Sequence, residues 1–186
     1  MKTILIKKVA VLLLCTALLT GCGQKSAYVL PEDFEVDFLF TSGAGAWGTS
    51  LMLERDGTFS GGFHDTDMGY YGEDYPNGTV YLCDFSGRFS DIEKIDEHSY
   101  SLTLTEITSD YEAGKEWIEN GVKNISSEPY GIEDGDKFIL YLPDTPTDGL
   151  DEIFLSWWPM CHAEDRPETL EMYGLYNVKM GYGFFE

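Results

Sequence analysis

From Phe34 to the carboxyl end, apolar and polar residues alternate in one stretch after another. A two-residue period is the repeat of a strand with one face buried and the other wet, and it constrains the fold more than any other feature here. In FEVDFLF, Phe34, Val36, Phe38 and Phe40 share a face. In WGTSLML the same face carries Trp47, Thr49, Leu51 and Leu53. Arg55-Asp56-Gly57 makes a tight turn, and TFSGGFH returns with Phe59, Gly61 and Phe63 inward, which predicts a hairpin. After a turn at Pro76-Asn77-Gly78, TVYLCDFSGRF holds Tyr81, Cys83, Phe85, Gly87 and Phe89 in phase, with Gly87 expected at a bulge or bend. Tyr100, Leu102 and Leu104 follow, then Phe138, Leu140 and Leu142. Tyr176, Val178, Met180, Tyr182 and Phe184 read as one closing strand.

Two segments depart from the simple pattern. EWIENGVKNI contains Asn120-Gly121, a strong hairpin signal, so strands are expected on both sides; a short helix ending at Gly121 is the alternative. Leu150, Ile153, Phe154, Trp157 and Trp158 fall at helical spacing after Asp148, and Pro159 stops the run. One short amphipathic helix from Leu150 to Trp158 is expected there, capped by Asp148 and closing one end of the sheet. The sum is a mainly β domain of about eight to ten antiparallel strands in mostly sequential order. Such a meander hides its edges by closing into a small barrel or, alternatively, by folding as a β-sandwich. The opening strand, Gly-rich turn, Trp47 and the DGTFSG hairpin resemble the start of a small lipocalin-like or calycin-like barrel, a resemblance of architecture that brings no ligand with it.

The amino terminus gives an address. Lys2, Lys7 and Lys8 precede an apolar run from Val9 to Leu19, which is shorter than the roughly 20 residues of a membrane span and has the layout of an export signal. It ends in Leu19-Thr20-Gly21-Cys22, which resembles the lipobox of bacterial lipoproteins. That resemblance implies cleavage before Cys22, diacylation of its thiol and anchorage to a lipid bilayer at the extracytoplasmic face of the cell membrane; an ordinary signal peptide is the alternative. The expected organisation is a signal peptide over 1–21, a lipidated cysteine and tether over 22–32, and one β-rich domain over 33–186. SGAGAW, DGTFSG, FHDTDMG, YPNGTVYLC and the closing YGLYN and GYGFF together resemble an uncharacterised group of lipoproteins from anaerobic Gram-positive bacteria. The group brings no activity and no site residues.

Loss of the three signal lysines leaves nine Lys and Arg against 33 Asp and Glu, so the mature chain carries a net charge of about −24. That balance argues against binding nucleic acid or an anionic bilayer by charge. Of the four cysteines, Cys83 and Cys161 remain in the domain. Outside the cytoplasm they are a possible disulfide, and two buried thiols are the alternative.

Chemical motifs are few. Gly43, Gly45 and Gly48 fit G-x-G-x-x-G, but an alternating strand and a turn at Asp56-Gly57 follow instead of a helix, so the glycines read as a strand-connecting turn. No G-x-S-x-G, H-E-x-x-H or Cys-x-x-Cys occurs, and His64, His98 and His162 lie far apart. The best candidate is FHDTDMGYYGEDYPNGT, where Asp65, Asp67, Glu73 and Asp74 offer oxygens for calcium. An EF-hand count from Asp65 fails, with Tyr70 at position six and Pro76 at position twelve, and a solvated acidic turn is the plainer reading. Tyr70, Tyr71 and Tyr75 lie in the same loop, where they would stack on sugar rings, line an apolar pocket or shut the barrel mouth. The leading expectation is a membrane-anchored, non-enzymatic protein that binds a small ligand or another envelope component. The alternatives are an envelope hydrolase using carboxylates of the 64–75 loop and a structural or interaction lipoprotein without a pocket.

Overall fold

The computed structural model describes residues 30–159, 162 and 164–186. Its strands are β1 (Glu35–Phe40), β2 (Trp47–Glu54), β3 (Thr58–Asp67), β4 (Thr79–Lys94), β5 (Ser99–Ser109), β6 (Glu116–Glu119), β7 (Val122–Ser126), β8 (Lys137–Tyr141), β9 (Gly174–Asn177) and β10 (Tyr182–Phe185). A single helical turn, α1 (Glu152–Leu155), lies between β8 and β9. The sheet runs β3-β2-β1-β10-β9-β8-β5-β4, and β3 pairs with β4 to close an eight-strand antiparallel barrel. The expected barrel is therefore present, and the sandwich is not. The β6–β7 hairpin stands outside the closed wall. β7 pairs in parallel with the first residues of β4, Thr79 to Leu82, where β5 has already left that strand.

The inward positions are those of the alternation. Phe38, Phe40, Leu51, Leu53, Phe89, Leu102, Phe138, Leu140, Leu175 and Phe184 are each at most 1 % exposed, and all eight barrel strands contribute to one continuous buried cluster. Side chains thus fill the barrel as a core, which an eight-strand barrel is just wide enough to hold. Thr49 also points inward, and its hydroxyl donates to the Tyr130 carbonyl at 2.7 Å. Asn177, fully buried, donates its amide to the Gly131 carbonyl at 2.8 Å. These two bonds hold the segment around Tyr130 to Ile132 across one end of the barrel, with Ile132 in the core. Gly131 makes that crossing at φ 96°, close against the rings of Phe40 and Phe184.

A second buried cluster lies on the outer face of β8, β9 and β10. Tyr141, Tyr176 and Phe185 face outward there and are covered by Phe154, Leu155, Trp158 and Leu170. Gly174 and Gly183 make the close approach possible: a Cβ on Gly174 would meet the Phe154 ring at 2.6 Å, and one on Gly183 would meet the Phe154 carbonyl at 3.0 Å.

Three expectations are corrected. The C-terminal run is two strands joined by a turn, with Gly181 at φ 71° and the Asn177 side chain accepting from the Met180 amide; Val178 and Met180 are exposed, and Tyr176 faces outward. The helix is one turn rather than the span Leu150 to Trp158. Its cap is Asp151, which accepts from the Ile153 amide, and it covers the outer face of the sheet rather than an end. The bulges in β4 fall at Arg88/Phe89 and between Ser90 and Glu93, and Asp91 takes φ 47°, so Gly87 itself lies in regular ladder. The Gly43 and Gly45 stretch connects β1 to β2 with both glycines at positive φ, as a strand-connecting turn requires.

Candidate functional site

Strand polarity separates the two ends of the barrel. Leu30, 2 % exposed in the core cluster, enters at the end that carries the β2–β3 turn. The β1–β2 turn, the acidic 68–78 loop and the β6–β7 hairpin all lie at the opposite, distal end. The signal region and Cys22 lie outside the described residues, as does Cys161.

The acidic loop is tied down rather than loose. Asn77 donates its backbone amide to the Gly121 carbonyl at 2.9 Å and its side-chain amide to the Asn120 carbonyl at 3.1 Å. The Lys123 backbone amide donates to the Gly78 carbonyl at 3.0 Å, and the Thr79 hydroxyl to the Tyr70 carbonyl at 2.7 Å. The Asn120-Gly121 turn forms the hairpin with both residues at positive φ, as its sequence predicts. Loop and hairpin therefore act as one built surface.

On that surface the rings of Tyr70 and Tyr75 lie 6.1 Å apart, with the Lys123 ammonium 5.5 Å and 5.7 Å from their centroids. Lys123 also pairs with Glu116 at 2.8 Å, and that hydrogen bond first of all holds its pKa above the ordinary lysine value. A cleft of about 330 Å³ opens here, lined by Tyr75, Glu116, Trp117, Ile118 and Lys123. Beside it, Tyr111 and Trp117 lie 5.4 Å apart, and the Lys115 ammonium sits 3.6 Å from the centre of the Tyr111 ring. Apolar ring faces, a carboxylate and an ammonium in one shallow groove suit a polar ligand with apolar faces, such as a sugar ring.

The four candidate calcium ligands take different positions. Asp67 is engaged in its own turn, its Oδ1 accepting from the Gly69 and Tyr70 amides at 2.8 Å and 3.2 Å. Asp65 lies on the inward side of β3 beside Trp47 and Phe63, while Glu73 and Asp74 are exposed on the loop. Among the described residues, no group of three or more His, Cys, Asp or Glu converges on a point that could hold a metal ion. His64 is exposed on the face opposite Asp65, as alternation dictates, so these neighbours do not converge either. Of the three tyrosines, Tyr70 and Tyr75 come together and Tyr71 stands out into solvent, 67 % exposed. Cys83 is a free, buried thiol facing Ser109; burial raises its pKa.

Sequence reasoning missed Trp117, Lys123, Tyr111 and Lys115. Their signal was present in the Asn120-Gly121 turn, which brings residues on its two sides together, but docking of the acidic loop onto that hairpin leaves no local trace. No family model, no curated protein and no solved structure matched this chain.

Proposed function

We propose that this protein is a lipid-anchored, non-enzymatic binding protein of the extracytoplasmic face that takes neutral sugar rings of an envelope component at the β6–β7 hairpin. The observation that carries the reading is the placement of Tyr70 and Tyr75 around Lys123 beside the 330 Å³ cleft. Two further features support it. The barrel interior is occupied by its own phenylalanines and leucines, which favours an external site for any ligand. The chain enters at the end opposite the hairpin, so a tether at Cys22 would direct the cleft away from the bilayer. An envelope component rather than an anionic polymer suits a chain of such strong negative charge.

Two measurements test the reading. In cells fed an alkynyl palmitate, the wild-type chain is expected to label and to fractionate with membranes, and Cys22→Ala to do neither; labelling that persists in the variant contradicts the anchor. The full chain is expected to co-sediment with insoluble cell-wall glycan, and Tyr75→Ala combined with Trp117→Ala to lower the bound fraction about tenfold. Equal sedimentation of both proteins contradicts the site.

A further inference from the structure

A second aromatic cluster lies at the same distal end, on the barrel rim, and the sugar reading does not use it. Trp47 and Asp65 face each other directly across the β2–β3 ladder, and Phe63 is two residues before Asp65 on the same side of β3. Tyr130 closes the third side: its ring centroid is 5.5 Å from Trp47 at an interplanar angle of 80°, and 5.5 Å from Phe63 at 54°. These residues line a cleft of about 300 Å³ with Asp65 as the carboxylate in its wall. Among the described residues no basic side chain pairs with Asp65.

The walls are fixed before any ligand arrives. Thr66 donates to the Ala46 carbonyl at 3.1 Å, continuing the ladder past Trp47 and Asp65. Tyr130 is held through its own carbonyl by Thr49 and through the next carbonyl by Asn177, and its hydroxyl lies 3.5 Å from that of Tyr182. Trp47 packs edge-on against Phe40 at 5.1 Å. Rigid elements and buried polar anchors are what preorganise a binding site.

Three aromatic side chains and one unpaired carboxylate lining a single cleft are a set of groups that takes a bulky organic cation. A ring face turned to the cleft offers the negative pole of its quadrupole, the methyl groups of such a cation bury against the aromatic lining, and the carboxylate supplies a full opposite charge. A hydrated sodium or ammonium ion gains less, because it must shed tightly held water to touch a ring. We propose that Trp47, Phe63, Tyr130 and Asp65 form a binding site for a small quaternary ammonium group. The strong negative charge of the chain raises the local concentration of any such cation. This site is separate from the hairpin cleft, and it stands or falls independently of the sugar reading.

The test is calorimetric titration of the full-length chain, purified in a non-ionic detergent, with choline, with its neutral isostere 3,3-dimethylbutan-1-ol, and with ammonium chloride. Saturable choline binding is expected, about tenfold tighter than the isostere and tighter still than ammonium. Asp65→Asn, which keeps size and shape, is expected to weaken choline by about tenfold and to leave the isostere unchanged. Tyr75→Ala is expected to leave choline binding intact, which separates this site from the hairpin. A short-chain phosphatidylcholine below its micellar concentration is run alongside: binding of choline alone identifies a free cation as the ligand, and binding of both identifies a group that a lipid headgroup can also supply. In proton spectra, bound choline methyls are expected to shift upfield from the ring currents, and Trp47→Leu to abolish that shift while circular dichroism confirms the fold. No saturable choline binding overturns the proposal, as does equal affinity for the isostere or an unchanged affinity in Asp65→Asn.

Discussion

Phe59 lies directly opposite Gly87 across the β3–β4 ladder, and its ring occupies the space that a Cβ on Gly87 would need. Two residues further along β3, the pair is reversed: Gly61 faces Phe85, whose ring comes to 2.6 Å from where a Gly61 Cβ would be. Each glycine leaves room for the facing ring and for a carbonyl of the neighbouring strand, that of Ser50 at Gly61 and that of Glu106 at Gly87. Gly61→Ala is expected to overpack that wall and lower stability by about 1–3 kcal/mol. Thermal unfolding of the purified variant would show this as a drop of several degrees, and an unchanged transition would remove the packing argument.

Phe40 is the joint between core and rim. It is fully buried, and its ring lies within 6 Å of those of Trp47, Tyr130, Trp157, Tyr182 and Phe184. Phe40→Ala leaves a cavity under all five, so a loss of about 3–5 kcal/mol is expected in urea unfolding. Its tryptophan fluorescence should also move to longer wavelength, because Trp47 and Trp157 lose the ring they pack on.

Asp151 does two jobs in α1. Its Oδ1 accepts from the Ile153 amide at 2.8 Å, and its Oδ2 accepts from the Tyr176 hydroxyl at 2.8 Å. Asp151→Ala is expected to cost about 0.5–2 kcal/mol from the cap alone. Asp148→Ala, at the position the helical spacing favours as the cap, is expected to change stability by less than about 0.5 kcal/mol. Equal effects of the two substitutions would place the cap elsewhere.

Alkaline pH probes two tyrosines. The hydrogen bond to Tyr182, followed by burial, pushes Tyr130 up to about 12. Burial, followed by the hydrogen bond to Asp151, does the same for Tyr176. Because the folded chain holds these phenolic protons more tightly than the unfolded chain, the stability they contribute is complete below about pH 10 and is lost as pH rises toward 12. Tyrosinate absorbance is expected to show Tyr130 and Tyr176 ionising toward pH 12, and the Tyr176 component is expected to be missing in Tyr176→Phe. The urea midpoint should fall across the same interval, less steeply in Tyr176→Phe. A single ionisation step near pH 10 would contradict this.

The barrel was legible because alternation is a local signal with a long-range meaning. Val36, Phe38 and Phe40, or Leu51 and Leu53, declare the buried face, and Asn120-Gly121 declares its own turn. What stayed illegible depends on two elements meeting. Tyr176 and Phe184 share a parity in the sequence but face opposite sides of the sheet, because the turn over Val178 to Gly181 shifts the phase, and the period alone does not reveal that break. β9 is buried on both faces under the outer cluster and loses its polar side, so alternation assigned Tyr176 to the wrong face. Helical spacing overran α1 for a similar reason: Trp157 reaches the rim beside Phe40 and Trp158 stacks on Phe185 without either being in a helix. At the site, Tyr70 and Tyr75 were visible as unexplained aromatics, while Lys123 and Trp117 became partners only through docking of the loop.

The most direct test of the sugar reading is a titration of soluble neutral oligosaccharides from the cell wall into the full chain, followed by calorimetry, with Tyr75→Phe and Tyr75→Ala in parallel. The account predicts saturable binding that Tyr75→Phe keeps within about twofold and Tyr75→Ala weakens about tenfold, because the ring face rather than the hydroxyl makes the contact. Oligosaccharide binding with the same affinity in all three proteins, or in none of them, would contradict it.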